Sequence, residues 1–154
     1  MFTVMACSPL ARLSVVTLGV ADLDKANAFY TAVFGRGPNP DFEGVCFFDL
    51  PGTWISLYPI DKLAEDIAPS LPVAARPGGA FNGITLAHNV RSREEAVAVM
   101  EKARAAGATV VKPPEETFWG GFSGYFADPD GYYWEVVWAP MFDFAPDGSM
   151  RFRK

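Results

Sequence analysis

A chain of 154 residues, half of them hydrophobic, is long enough for one well-buried domain or for two small modules sharing a sheet. Its net charge of -5, from 13 Lys and Arg against 18 Asp and Glu, argues against a nucleic-acid surface or an anionic membrane as partner, because both need clustered cations. The two cysteines, Cys7 and Cys46, lie far apart without a CxxC pattern, and no window approaches the roughly 20 apolar residues of a membrane span, so the expectation is a soluble, cytoplasmic protein.

Residues 1–12 read as a lead-in. Residues 13–20 are rich in Val and Leu and predict a strand, with Val15, Thr17 and Gly19 on one face and Val16, Leu18 and Val20 on the other. Asp22 is a helix N-cap, and Leu23, Ala26, Tyr30, Val33 and Phe34 recur at helical spacing until Gly35 and Gly37 stop the helix. The runs 45–50 and 54–58, joined by Pro51-Gly52-Thr53, predict a hairpin. A short helix is expected over 61–69, and the Pro- and Gly-rich stretch to Gly79 is the connector to a second half.

The order then repeats. Residues 84–90 predict a strand, and Ser92-Arg93-Glu94-Glu95 forms a capping box. Ala96, Val99, Met100, Ala103 and Ala106 mark the buried stripe of a helix that Gly107 ends. A short strand over 108–111 is expected to stop before Pro113-Pro114, leaving a loop over 115–121. Asp128-Pro129-Asp130-Gly131 is a tight turn between strands 122–127 and 133–138. Alternation along the last strand groups Trp134, Val136 and Trp138 apart from Tyr133, Glu135 and Val137, so the Glu135 carboxylate must meet water, a partner or a cavity. Superposing Val20 on Val90 lays Asp22 on Ser92 and Val15 on Thr85, and setting Gly52 on Gly131 lays Ser56 on Glu135. The division is a lead-in over 1–12, modules over 13–60 and 81–140 around a connector over 61–80, and a tail over 141–154, which is either an arm over a partner or a loose end.

Val20-Ala21-Asp22-Leu23 with Ala28-Phe29-Tyr30, and Asp128-Pro129-Asp130-Gly131 leading to Trp134-Glu135, make the chain resemble the vicinal oxygen chelate superfamily, which includes glyoxalase I, bleomycin-resistance proteins and extradiol dioxygenases. The resemblance implies an α+β fold of two βαβββ modules, a cupped mixed sheet with helices on the outside, and a homodimer. It also implies four converging metal-ligand positions, which here fall on Val15, Ser56, Thr85 and Glu135. Only Glu135 is a good ligand, since Val15 coordinates nothing and neutral hydroxyls bind divalent metals poorly.

With one histidine, His88, and no glutamine, the chain lacks the imidazole and amide donors of a glyoxalase or dioxygenase site. His88 falls on the face opposite Thr85 and is expected to be a packed, hydrogen-bonded residue. Phe118-Trp119-Gly120-Gly121 offers flat side chains beside flexible backbone, and with Trp54, Tyr58, Tyr125 and Trp138 it suggests an aromatic cup or, equally, core and interface residues. The leading expectation is a cytoplasmic homodimer that binds a hydrophobic or aromatic small molecule without a cofactor. Trp119, Phe118, Trp54, Tyr125 and Val15 would form walls, with Ser56, Thr85 and Glu135 as polar contacts. The alternatives are a metal-dependent lyase or dioxygenase that recruits a divalent ion through Glu135, and a metal-free enzyme with Glu135 as catalytic acid or base.

Overall fold

A computed structural model describes residues 12–73 and 80–153, so most of the expected lead-in and part of the connector lie outside the described residues. Strand β1 (Val15–Val20) leads into helix α1 (Leu23–Phe34), then β2 (Cys46–Phe48), β3 (Trp54–Pro59) and α2 (Ile60–Ile67). The second half runs β4 (Leu86–Asn89), α3 (Arg93–Ala105), β5 (Thr109–Glu116), β6 (Phe122–Ala127) and β7 (Tyr133–Trp138). A hairpin of β8 (Phe142–Phe144) and β9 (Met150–Phe152) closes the chain, and the Arg91 guanidinium lies 4.6 Å from the Phe144 ring centre, so the tail folds onto its own chain. Among the described residues no helix is long and apolar enough to cross a membrane.

The caps act as their residue types dictate. Asp22 accepts the Lys25 N–H at 3.0 Å to start α1. Ser92 accepts the Glu95 N–H at 3.1 Å, while the Glu95 carboxylate accepts the Arg91 N–H at 2.6 Å, which satisfies two free donors at the start of α3.

The fold is α+β with mixed sheets. One sheet has the order β1-β3-β2, with β1 parallel and β2 antiparallel to β3, and the other has the order β4-β7-β6-β5, with β4 parallel to β7 and the rest antiparallel. In the first module a single backbone bond, from the Asn39 N–H to the Phe47 carbonyl at 2.9 Å, stands where a fourth strand would run. The second module differs from expectation at the prolines: β5 continues through Pro113 and Pro114 to Glu116. It is an edge strand whose register shifts on both sides of Lys112, so the missing N–H groups break no central ladder.

Helix α1 joins the halves. The Tyr30 ring lies 6.3 Å from Phe48 of the first sheet and 6.0 Å from Trp134 of the second, Phe34 repeats the bridge at 5.3 and 6.3 Å, and Phe29 meets Phe126 at 6.4 Å. Aromatic side chains of this size remove about 150–250 Å² each from water. The helix-bearing faces of both sheets therefore share one core, and the opposite face of each sheet is left for other work.

Polar bonds fix this junction. The Tyr30 hydroxyl donates to Asp128 Oδ2 at 2.5 Å and accepts the Trp134 indole N–H at 3.1 Å. Asp128 Oδ1 accepts the N–H groups of Asp130 and Tyr132 at 3.0 and 2.8 Å. Asp130 accepts the Ala21 N–H at 2.9 Å, and the Tyr132 hydroxyl donates to the Gly19 carbonyl at 2.7 Å. The Asp-Pro-Asp-Gly turn is thus a latch on the first module.

Burial, with the Asp128 charge beside it, holds the Tyr30 hydroxyl well above the ordinary tyrosine range, and burial also raises the Asp128 carboxyl against the bonds it accepts. Tyr30→Phe is expected to lower unfolding free energy by about 1–3 kcal/mol in urea titrations, because it leaves a buried carboxylate oxygen without its donor. Because the folded-state pKa of Asp128 is raised, its contribution is full below the ordinary carboxyl pKa and is lost as pH rises through the raised value. Wild type should therefore lose stability relative to Asp128→Asn across that window.

Candidate functional site

The faces turned away from the shared core carry the candidate residues. On the first sheet Val15, Thr17 and Gly19 of β1 lie beside Trp54, Ser56 and Tyr58 of β3, in that register. Trp54 is 45% and Val15 36% exposed, whereas Ser56, flanked in its row by Thr17 and Phe47, is only 2% exposed. The far end of this face is closed by α2. A Cβ on Gly19 would stand 2.9 Å from Ile60 Cγ1, so the glycine is what lets α2 lie against β1.

On the second sheet a row crosses all four strands: Lys112, Tyr125, Glu135 and Ala87 are successive partners. Burial raises the Tyr125 hydroxyl pKa, reinforced by the charge of its cross-strand partner Glu135, and Lys112 pulls the other way. Tyr125 and Glu135 thus form a phenol–carboxylate pair on a half-buried face. Thr85 sits exposed one residue ahead of β4.

The two modules place their candidates alike. Ser56 is opposite Thr17 and Glu135 opposite Ala87, so Val15 and Thr85 each stand two residues before the partner of their module's last-strand residue. One chain brings together Val15, Trp54 and Ser56, and separately Thr85, Tyr125 and Glu135. It does not join the two groups, because each lies on the far side of its own sheet from the shared core.

The hairpin tip between β5 and β6 belongs to the second sheet. Phe118 is fully exposed there, and Trp119, 39% exposed, lays its ring against Gly121, where a Cβ would overlap Trp119 Cη2 at 1.9 Å. Trp138 does not join this face. It packs on the helix side, with the Arg93 guanidinium of α3 4.1 Å from its ring centre.

A family profile described as Glyoxalase/Bleomycin resistance protein/Dioxygenase superfamily matches residues 12–136. The chain belongs to this superfamily. Its structure is similar to that of a glyoxalase-related enzyme from Fulvimarina pelagi, at 34% identity and TM-score 0.82 over 94% of this chain and 100% of that one. It is also similar to a glyoxalase/bleomycin resistance protein/dioxygenase from Nocardioides, at 25% identity and TM-score 0.69 over 87% of both chains. A lactoylglutathione lyase from Agrobacterium tumefaciens shares the fold at 23% identity and TM-score 0.64, over 89% of this chain and 100% of that one.

Metal chemistry in this superfamily needs convergent donors. Among the described residues no group of three or more His, Cys, Asp and Glu is arranged to hold an ion. One carboxylate, two hydroxyls and a valine are a poor donor set for a divalent transition metal.

His88 departs from expectation. It faces the helix side, as alternation requires, yet it reaches solvent on the wall of a cleft there. Burial lowers its pKa and the Glu95 charge partly offsets this, with no hydrogen bond contributing. The strand edge at β4 explains the difference, since the first sheet does not continue beyond it. The sequence reading also missed the Lys112–Tyr125–Glu135 row; hairpin register counted from the Asp-Pro-Asp-Gly turn gives the Tyr125–Glu135 partners.

Gly121→Ala should push the Trp119 indole off the hairpin. Its fluorescence is expected to shift to longer wavelength with unfolding free energy changed by less than about 1 kcal/mol, because an exposed side chain yields to the new methyl.

Proposed function

We propose that this protein binds a flat hydrophobic or aromatic small molecule in a metal-free cup assembled from the outer faces of two chains. In the proposed homodimer the Val15–Trp54–Ser56 face of one protomer meets the Thr85–Tyr125–Glu135 face of its partner. A two-fold arrangement makes two equal sites this way. The observation that carries the reading is the split itself: apolar and aromatic groups stay exposed on one half-face, and the lone carboxylate is paired with a tyrosine on the other.

The chemistry of the lining supports a binding role. Trp54 and Val15 supply an apolar wall, Ser56 lies buried beneath it, and Tyr125 with Glu135 supplies a donor and an acceptor that orient a ligand. Phe118 and Trp119 project from a hairpin tip and stand at the rim of the cup. Superfamily membership is compatible with sequestration, as in the bleomycin-resistance branch, and with catalysis.

A second reading rests on the Tyr125–Glu135 pair. A carboxylate beside a phenol in a closing apolar cup is equipped to take a proton from a carbon acid or an alcohol, with Tyr125 donating to the oxygen that becomes charged. In that case turnover follows a pH profile that Glu135→Gln abolishes.

Thermal-shift screening of aromatic natural products tests the binding reading. A ligand at about a hundred times its Kd should stabilise the protein by about 2.7 kcal/mol. Trp54→Ala and Tyr125→Phe should each reduce the shift, while Ni²⁺, Zn²⁺ and Fe²⁺ should leave the wild type unmoved. Metal stabilisation lost in Glu135→Ala would overturn the metal-free reading.

A further inference from the structure

A second cavity lies on the other side of both sheets. It occupies about 860 Å³ where the helix-bearing faces diverge, between the edge strands β1 and β4. Val16 and Ile55 line it from the first sheet, alternating with the outward-facing Val15, Trp54 and Ser56, and on the second sheet the edge strand β4 lines it with Leu86, Ala87 and His88, so the cleft reaches the edge of the Glu135 row without including Tyr125 or Glu135. Val33 of α1, Leu86 of β4 and Val99 of α3 complete the apolar walls, and the hairpin carrying Phe144 and Met150 lies along its margin.

The charge of the lining has one sign. In a chain of net charge -5, the ionisable groups that border this cavity among the described residues are Arg36, Lys102, His88 and the deeply buried Tyr30, and none of these is an Asp or Glu. Arg36 is held by Asp49 just outside the wall. The Lys102 ammonium stands 3.4 Å from where a Cβ on Gly35 would lie, at the C-terminal end of α1, which lacks a basic residue in its own last turn. That position holds the ammonium at the cavity rim through the helix dipole without neutralising it as a carboxylate would. His88 contributes an accessible imidazole on the opposite wall.

We infer that this inter-module cleft binds a small organic acid with an apolar body, its carboxylate taken by Lys102 and its hydrocarbon lodged against Val33, Leu86 and Val99. The apolar walls supply the affinity of such a ligand, and the basic rim selects the acid over its neutral analogue.

Calorimetric titration of the full chain with 1-naphthoate and with the neutral 1-naphthalenemethanol tests this. The acid should bind wild type more tightly than the alcohol. Lys102→Met, at an exposed helix position, should weaken the acid roughly tenfold and leave the alcohol within about twofold. Val33→Trp, which fills the cleft, should weaken both compounds by at least about tenfold. Unchanged circular dichroism and Tm certify that each variant is folded. Failure of the acid to bind wild type, equal losses of acid and alcohol in Lys102→Met, or losses that follow Trp54→Ala in place of the cleft variants would overturn the inference.

Discussion

The hydrogen bond from Tyr30 to Asp128 decides how the rest of the molecule is arranged. It runs from a helix of the first module to the turn of the second, inside an aromatic cluster, and is reinforced by the Ala21–Asp130 and Tyr132–Gly19 bonds. Once α1 is held there, its rings serve both sheets at once. Neither sheet then needs its other face for stability, and those faces are free to carry polar and aromatic groups that a core would reject.

Much of the fold was legible because local chemistry and global packing agree. Asp22 and Ser92 cap the helices their positions announce, and Asp128-Pro129-Asp130-Gly131 turns where its composition requires. The same turn hid its second role. Nothing in a turn signature says that its first aspartate will accept a tyrosine 98 positions away, since that contact exists only after the modules have docked. The path of β5 was misread for a related reason: proline stops a strand only where its N–H is needed, and edge position is a tertiary property.

The candidate site was legible as a set of positions and illegible as a place. Repeat alignment put Val15 with Thr85 and Ser56 with Glu135, and strand register gives the two members of each pair equivalent places, one on each sheet. Alternation gave the correct face for Trp138 and His88, yet only the structure shows the first stacked under Arg93 and the second on an open wall. What the residue pattern could not reveal is that one chain keeps its two groups of candidates on opposite sides of a common core. The proposal of a shared cup between protomers follows from that separation, and the inter-module cleft is its counterpart on the helix side.

Mixing two separately purified variants, Trp54→Ala and Glu135→Gln, tests the divided site most directly once a cup ligand is in hand. Each variant alone spoils every proposed cup, whereas a dimer containing one of each keeps one cup intact and concentrates both changes in the other. After subunit exchange, equilibrium dialysis should therefore recover about a quarter of the wild-type binding capacity at wild-type affinity, as random pairing across a two-fold interface requires. No recovery, with exchange verified by native mass spectrometry, would contradict a cup built from two chains.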